Sequence, residues 1–541
     1  MLANLPILSM IAFSPLLGVL ILLFMPKDQG KWIKVIGAAT TFIPLVLAGL
    51  LYADFNQQEG GFQYSELHNW ITVPLNKEAQ HLSEITSLYF KFDYSLAVDG
   101  LSLSLVFLTA LICTMAALAS VYIKKRWKLY YILFLLLETG IFGVFMAQDL
   151  FLFFLFFEIT LVPMFFLIGI WGYINREQAA NKFLIYNGLG SAVMLIVFLI
   201  LVTTAGFSAV QDANGASLYF SGSLRDITDN LYNNPNAYVH IQEQNLPFYL
   251  SAGAKSALFA LLLVAFGIKL PIFPFHTWML KVHTEAPPSI VMIHSGILLK
   301  MGAYGLIRFG VLLFPEQAKS WAFVLALLGL INILYGAVLA FVQKDFKLVL
   351  AYSSISHMGV VLLGLAAFNQ IGMQGAVFQL VSHGLISALM FLLVGSLYER
   401  TGTTELSKLG GLASSLPFMS GILLVAGMAS LGLPGLSGFV SEFLAFLGLF
   451  GTMKALTIIS ALGIILAAVY VLRGVLSITF GPQKEERPGI RDARLIEAVP
   501  MIVLVAFILL LGVYPGILSQ PLEQTVTGFT DFIQSTPKIG E

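Results

Sequence analysis

Long apolar runs, separated by short polar breaks, dominate the pattern of residues along the chain. An apolar run of about eighteen residues or more is long enough to cross a bilayer as a helix. We therefore expect about fourteen transmembrane helices. The predicted spans lie near Leu5–Met25, Ile36–Phe55, Leu101–Ile123, Tyr130–Met146, Leu150–Gly172, Phe183–Ala205, Ala254–Phe275, Ser289–Phe314, Ala322–Val342, Leu348–Ala367, Ala376–Tyr398, Leu412–Gly451, Leu456–Phe480 and Val499–Val513.

Composition agrees with this pattern and narrows the class of protein. Of 541 residues, 58% are hydrophobic and only 11% are charged. A soluble fold of this size needs a more highly charged surface, so the chain is predicted to be an all-α polytopic membrane protein. Lys and Arg number 29, as do Asp and Glu, which leaves no basic excess for binding nucleic acid. Cys113 is the single cysteine, so the chain can form neither an internal disulfide nor a cysteine-rich cluster.

Basic residues in the short loops predict the orientation. They fall in the odd-numbered loops: Lys27, Lys31, Lys34, Lys124, Lys125, Arg126, Lys128, Arg176, Lys182, Lys344, Lys347, Lys484, Arg487, Arg491 and Arg494. By the positive-inside rule, these loops face the cytoplasm and both termini face outside. The polar connections Asn56–Gly100 and Phe207–Leu250 would then lie outside, as solvated loops with short interfacial pieces.

Several titratable side chains interrupt the apolar runs. They are Glu138, Glu158, Lys269, His294, Lys300, Arg308, His357, His383, Glu442 and Arg473. Each charge in the bilayer core costs at least ~2.5–3.5 kcal/mol, so their number favours a function that uses them. Buried Glu, Lys and His exchange protons readily when their surroundings change. Structural pairing and snorkelling are the competing interpretation, above all for Arg308 and Arg473 near span ends.

Prolines break two of the predicted spans. The first break, at Pro271 and Pro274, directly follows Lys269, and the second, at Pro434, precedes Glu442. Irregular backbone at membrane depth is tolerated where it is buried in protein or lines a water-filled cavity. Interrupted helices at matching positions of two halves are typical of inverted-repeat transporters.

We therefore expect two inverted five-helix repeats, spans four to eight and nine to thirteen, each with a broken helix. The second break lies in residues 412–451, which form either one broken helix or two short ones. The predicted division is 1–123 for the first three spans and an external loop, and 124–314 and 315–480 for the two repeats. Residues 481–541 complete it, with a cytoplasmic loop, the last span and a tail.

Motifs for other chemistry are weak. No Gly-x-x-x-x-Gly-Lys-Ser/Thr loop is present, so the sequence does not predict ATP-driven pumping. The spacing of His276 and His283 does not predict a metal cage, whereas haem ligation by paired histidines stays open on spacing alone.

Six motifs together resemble the antiporter-like subunits of respiratory complex I. They are Phe157-Glu158-x-x-Leu161-Val162-Pro163, Ile268-Lys269-Leu270-Pro271, His276-Thr277-Trp278, His283-Thr284-Glu285-Ala286-Pro287, residues 296–305 around Lys300, and Ala351-Tyr352-Ser353-Ser354-Ile355-Ser356-His357-Met358-Gly359. The match runs from Val98 to Arg473. On the helix of Glu442, the L- and N-type subunits look to carry lysine instead. The glutamate therefore makes the chain resemble the M type (chain 4) of the bacterial NADH-quinone oxidoreductase.

The resemblance implies a role for each matching residue. Glu158 and Lys269 would form a coupled carboxylate–lysine pair, and Lys300 would be the central relay. His357 and His383 would line the polar axis, which ends at Glu442. The remaining members of the set would be supporting groups: Glu138, His294, Arg308 and Arg473.

The same resemblance implies the assembly around the chain. We expect a proton-translocating subunit in a bacterial plasma membrane, in contact with L-, N- and K-type membrane subunits and indirectly with a peripheral arm. The chain itself is expected to carry no cofactor or metal, and NADH, FMN, iron–sulfur clusters and quinone are expected in partner subunits. The alternative is an Mrp-type cation/proton antiporter subunit, and a third interpretation is an inert membrane spacer.

Overall fold

Long α-helices make up most of the chain in a computed structural model, which describes residues 5–75, 85–212, 215–241, 248–484 and 489–536. Arg487, one of the predicted cytoplasmic basic residues, lies outside these ranges. The helices are α1 Ile7–Phe24, α2 Gly30–Asp54, α3 Gly100–Tyr122, α4 Trp127–Met146, α5 Leu150–Trp171, α6 Arg176–Thr203, α7 Leu224–Thr228, α8 Ala252–Lys269, α9 Thr277–Glu285, α10 Pro288–Val311, α11 Pro315–Ser320, α12 Ala322–Val342, α13 Phe346–Ala366, α14 Gln370–Thr401, α15 Pro417–Ser430, α16 Ser437–Thr452, α17 Lys454–Thr479, α18 Leu495–Val513 and α19 Gly516–Ser535.

The helices long and apolar enough to span a membrane number 13 in the described part of the chain. The region around the second proline break consists of two shorter apolar helices, α15 and α16. Counted together as one broken crossing, they complete the fourteen spans that the sequence predicts. The predicted polytopic helical fold is confirmed.

Two five-helix repeats form the middle of the molecule. The first consists of α4, α5, α6, the broken pair α8/α9, and α10, and the second of α12, α13, α14, the broken pair α15/α16, and α17. Small residues allow close packing inside a repeat. A Cβ atom on Gly359 of α13 would lie only 2.6 Å from the carbonyl oxygen of Gly329 of α12, so these backbones nearly touch.

The two polar connections form a sheet, where the sequence analysis expected solvated loops. The strands are β1 Gln63–Pro74, β2 Ile85–Val98, β3 Phe207–Asp212 and β4 Gly215–Ser221, in the order β1-β2-β4-β3. Phe90, Phe92 and Tyr94 alternate with polar residues along β2, which is the period of a strand. Because β2 pairs in parallel with β4, the two connections lie on one face of the molecule, which we call the sheet face.

Helix α19 is amphipathic, where the sequence analysis expected only a tail. Leu518, Leu522 and Val526 recur at helical spacing and are buried. The helix packs directly on the start of α3, where a Cβ on Gly100 would lie 2.1 Å from the carbonyl oxygen of Pro521. The amide of Gly100 also donates to Oγ1 of Thr525, 2.9 Å away.

Candidate functional site

Lys269 is the last residue of α8, and its side chain is buried. The helix ends there because Pro271 has no amide hydrogen to continue the ladder. The Lys269 ammonium lies 4.9 Å from the ring centroid of Phe157 and 5.6 Å from that of Phe183. The faces of aromatic rings attract a cation, so these two rings hold the charge of Lys269 inside the first repeat.

The first helix break is stabilised by the second repeat. The amide of Phe273 donates to Oδ1 of Asn332 on α12 over 2.8 Å, and Nδ2 of Asn332 faces the carbonyl of Pro271 at 3.5 Å. The hydroxyl of Tyr335, on the same helix, lies 3.1 Å from Nε2 of His276. Pro274 lies between these contacts, within the irregular segment from residue 270 to 276. One helix of the second repeat thus supplies partners for backbone groups that the break leaves free.

Glu158 lies on α5 and directly follows Phe157 in the sequence. The side chain is partly buried, and its Oε1 atom has no hydrogen-bond partner among the described residues. Its charge acts on Lys269, although the two groups lie beyond ion-pair distance in the described part of the chain. A small movement of either side chain therefore changes the energy of a proton on Lys269.

A pair of histidines and Lys300 fill the centre of the molecule. Nε2 of His283, on α9, lies 2.9 Å from Nδ1 of His294, on α10. Lys300, two residues beyond the π-helical turn at His294–Leu298, donates to the carbonyl of Ser295. Its Nζ also lies 2.8 Å from Nδ1 of His383 on α14. Lys300 thus joins the last helix of the first repeat to the third helix of the second.

The polar axis continues through the second repeat. The rings of His383 and His357 have centroids 5.4 Å apart. Nδ1 of His357, on α13, lies 3.3 Å from Oε1 of Glu442 and 3.2 Å from Nε2 of Gln379. Ser441 donates to Oε1 of Gln379 over 2.5 Å and so orients the amide towards the histidine. Glu442 therefore has a titratable neighbour within direct reach.

The second helix break borders this cluster. Helix α15 ends at Ser430, whose hydroxyl lies 3.5 Å from Nε2 of His357. Pro434 follows in the irregular segment, and α16 begins at Ser437, which accepts a hydrogen bond of 2.8 Å from Ser382. Both broken helices thus bring a titratable side chain to the buried axis, Lys269 at the first break and Glu442 after the second.

The remaining predicted residues lie at three separate places. Glu138 of α4 is fully buried, and neither carboxyl oxygen has a hydrogen-bond partner in the described ranges. Arg308 forms a buried ion pair of 2.5 Å with Asp99, which also caps α3. Arg473 is exposed and donates to the backbone carbonyl of Phe341. The two arginines thus have local structural partners.

Sequence reasoning missed four residues of this arrangement. His283 belongs to a quoted motif but received no role, and Asp99 stood outside the spans. Gln379 precedes His383 by one helical turn, which is a weak signal for a shared face. Asn332 had no signal, because a neutral amide in an apolar run resembles a packing residue.

The geometry allows proton exchange along a buried line. Lys300 with His383, and His357 with Glu442, are each within direct contact, and every one of these side chains can both bind and release a proton. The described residues contain no cluster of three or more His, Cys, Asp or Glu suited to a metal ion.

Comparison with known proteins identifies close relatives of the chain. A family model described as "NADH:quinone oxidoreductase/Mrp antiporter, TM" matches residues 147–469. NAD(P)H-quinone oxidoreductase chain 4 1 of Synechococcus elongatus is 39% identical, over 98% of this chain and 92% of that protein. NADH-quinone oxidoreductase subunit M of Rhodobacter capsulatus is 35% identical, over 96% and 95%.

Solved structures have the same architecture. A chain of respiratory complex I from Thermus thermophilus with bound NADH matches with a TM-score of 0.78 and 28% identity, over 97% of this chain and 99% of that one. A chain of the Mrp complex from Dietzia sp. matches with a TM-score of 0.77 but only 20% identity, over 98% and 99%. This second likeness concerns the fold alone.

Proposed function

Because the chain belongs to the NADH:quinone oxidoreductase/Mrp antiporter transmembrane family, we propose that it moves protons as the M-type subunit of a complex I-type quinone oxidoreductase. One contact supports the proposed route of the protons. Lys300 contacts His383 directly and so connects the titratable groups of the two repeats across their interface.

The mechanism is electrostatic. A change of charge beside Glu158 alters how strongly that carboxylate stabilises the cation of Lys269. When the stabilisation weakens, Lys269 releases its proton towards the histidines and Lys300. Once Lys269 takes up a new proton, the repulsion between its cation and that of Lys300 in the low-dielectric interior favours onward transfer through His383 and His357 to Glu442.

Electron transfer belongs to other subunits in this proposal. NADH or another donor, FMN, iron–sulfur clusters and quinone are expected in partner chains, since the residues of the axis are proton carriers. L-, N- and K-type membrane subunits are the proposed neighbours, with the peripheral arm acting through them.

The proposed location is a bacterial plasma membrane, with both termini and the sheet face outside and the basic loops in the cytoplasm. The excess of Lys and Arg in odd-numbered loops supports this orientation. We also propose that the chain is divided into four segments: the first three spans at 1–123, the two repeats at 124–314 and 315–480, and the last span with its flanking loop and tail at 481–541.

The test is donor-driven proton uptake in inverted membrane vesicles that contain equal amounts of the assembled complex. Lys269→Ala should abolish most of the uptake, because the axis loses its first cation. Lys255→Ala is the matched control, since Lys255 lies in the first turn of the same helix, far from the break. Normal uptake with Lys269→Ala would contradict the proposal.

A stand-alone Mrp-type antiporter is the alternative, and the shared family model and fold support it. Copurification separates the two. A complex I-type subunit should be isolated with an iron–sulfur-containing assembly, whereas an antiporter should exchange cations for protons without an electron donor.

A further inference from the structure

A lysine outside the axis, Lys347, has an unusual environment on the face that carries the basic loops. It lies in the first turn of α13, where the helix dipole disfavours a cation, and its side chain is buried. Its ammonium lies 4.0 Å from the ring centroid of Tyr173 and 4.5 Å from that of Tyr398. Tyr173 belongs to the first repeat and Tyr398 to the second, so Lys347 occupies the seam between them.

Three carboxylates surround this cation at longer range. Asp345 precedes α13, Glu285 ends α9 and Glu399 lies near the end of α14, and the charge of each acts on Lys347. All three lie beyond ion-pair distance of Lys347 in the described ranges, and Asp345 is occupied in capping the helix. The cation therefore lies near three negative charges without being fixed in one ion pair.

The same face of α13 leads from Lys347 to the axis. Leu350, Ser354 and His357 follow at helical spacing, and Ser354 lies about 10 Å along the helix from Lys347. The hydroxyl of Ser354 lies 3.4 Å from that of Ser295. The carbonyl of the same Ser295 accepts a hydrogen bond from the ammonium of Lys300. A single serine contact thus joins this face to the central lysine.

A small cavity lies on this line. Its walls include Leu350, Ser354, His357 and His383, and the space open to the centre of a water molecule is about 10 Å³. That is room for roughly one water, and the hydroxyls and ring nitrogens around it supply the polar partners that a buried water needs. Leu350, one helical turn after Lys347 on the same helix, forms part of the cavity wall.

We infer that Lys347 is the residue through which protons enter the central axis from the basic-loop face. Nζ of Lys347 gives a proton past Leu350 to a water in the cavity, and that water gives a proton to His383, which lines the cavity. His383 then gives a proton to neutral Lys300 across their direct contact. Lys347 then regains its proton from the loop face. The inference rests on the proposed function, because it supplies the protons that the axis moves.

The experiment compares donor-driven proton uptake per electron, at equal complex abundance, for Lys347→Arg and Lys347→Met. Arginine keeps the cation between the two tyrosine rings but does not release its proton. An entry residue therefore requires that both variants lower uptake by about tenfold. A purely structural cation requires that Lys347→Arg behaves like the wild type, and that result would overturn the inference even if Lys347→Met fails to assemble.

Matched controls separate this inference from the proposed function. Lys344→Met removes an exposed lysine of the same loop and should leave uptake unchanged. Ser354→Ala should lower uptake. Ser356→Ala should not, because the hydroxyl of Ser356 donates to the carbonyl of Ile333 on the other side of the helix. If Lys269→Ala abolishes uptake while Lys347→Arg is normal, only the entry residue is wrong. Normal uptake in Lys269→Ala overturns both.

Discussion

Nζ of Lys300 lies 2.8 Å from Nδ1 of His383, and the same ammonium donates to the carbonyl of Ser295. A protonated imidazole carries hydrogens on both nitrogens, so it cannot accept from a charged lysine in this geometry. A charged Lys300 therefore requires a neutral His383. The two side chains are therefore coupled, because protonation of one favours deprotonation of the other.

His383→Asn tests that coupling. Asparagine places an acceptor near the position of Nδ1, so Lys300 keeps a partner, but it carries no exchangeable charge. We expect donor-driven proton uptake to fall by about tenfold or more, with the complex assembled. The measurement is proton uptake at matched complex abundance. His240→Asn, at an exposed position near the sheet face, should leave uptake unchanged.

Glu442→Gln tests the end of the axis. Glutamine keeps the size of the side chain beside His357 but removes the group that takes up the proton. We expect a loss of uptake similar to that of His383→Asn, and partial recovery with Glu442→Asp. Vesicle uptake assays provide the measurement, with Glu405→Gln, at a partly exposed position away from the axis, as the control. Equal uptake in Glu442→Gln and wild type would remove Glu442 from the path.

The helical fold was predictable from sequence because lipid permits few alternatives. A run of apolar residues in a bilayer must satisfy its backbone internally, so its length specifies a helix. The sheet was not predicted, although Phe90, Phe92 and Tyr94 show its period. The pairing of β2 with β4 joins distant segments, which no local pattern encodes.

The charged residues of the site were predictable from the sequence, because a charged side chain is costly to bury in a membrane. Glu158, Lys269, Lys300 and Glu442 are conspicuous because each charge lies within an apolar run. Gln379 and Asn332 were missed because a neutral amide costs far less to bury and leaves no comparable signal. Their roles depend on which helices pack together, and that information lies in the tertiary structure.

Asn332→Ala should destabilise the first helix break. The partly buried amide of Phe273 would lose its acceptor, which costs about 1 kcal/mol, the low end of the range for an unpaired buried donor. We expect a lower thermal unfolding temperature of the purified complex. Tyr335→Phe removes only the hydroxyl beside His276, so its shift should be smaller. The reverse order of the two shifts would contradict this account of the break.

Asp99→Asn should disrupt assembly more severely than any axis variant. The asparagine still caps α3, but Arg308 is left as a buried cation without its carboxylate, at a cost of about 3–5 kcal/mol. The amount of intact complex in membranes measures this loss. Combining Asp99→Asn with Arg308→Met removes the isolated charge, and we expect abundance and proton uptake to recover together. Recovery of abundance without uptake would instead place this pair on the proton path.

Lys300→Met gives the most direct test of the central claim that one buried lysine connects the two repeats. The measurement is the number of protons taken up per electron in inverted vesicles, with donor oxidation followed in the same sample and complex abundance matched to wild type. The account predicts that the proton yield per electron falls sharply while the complex remains assembled. A proton yield equal to that of wild type would show that the repeats exchange no proton through Lys300 and would contradict the account.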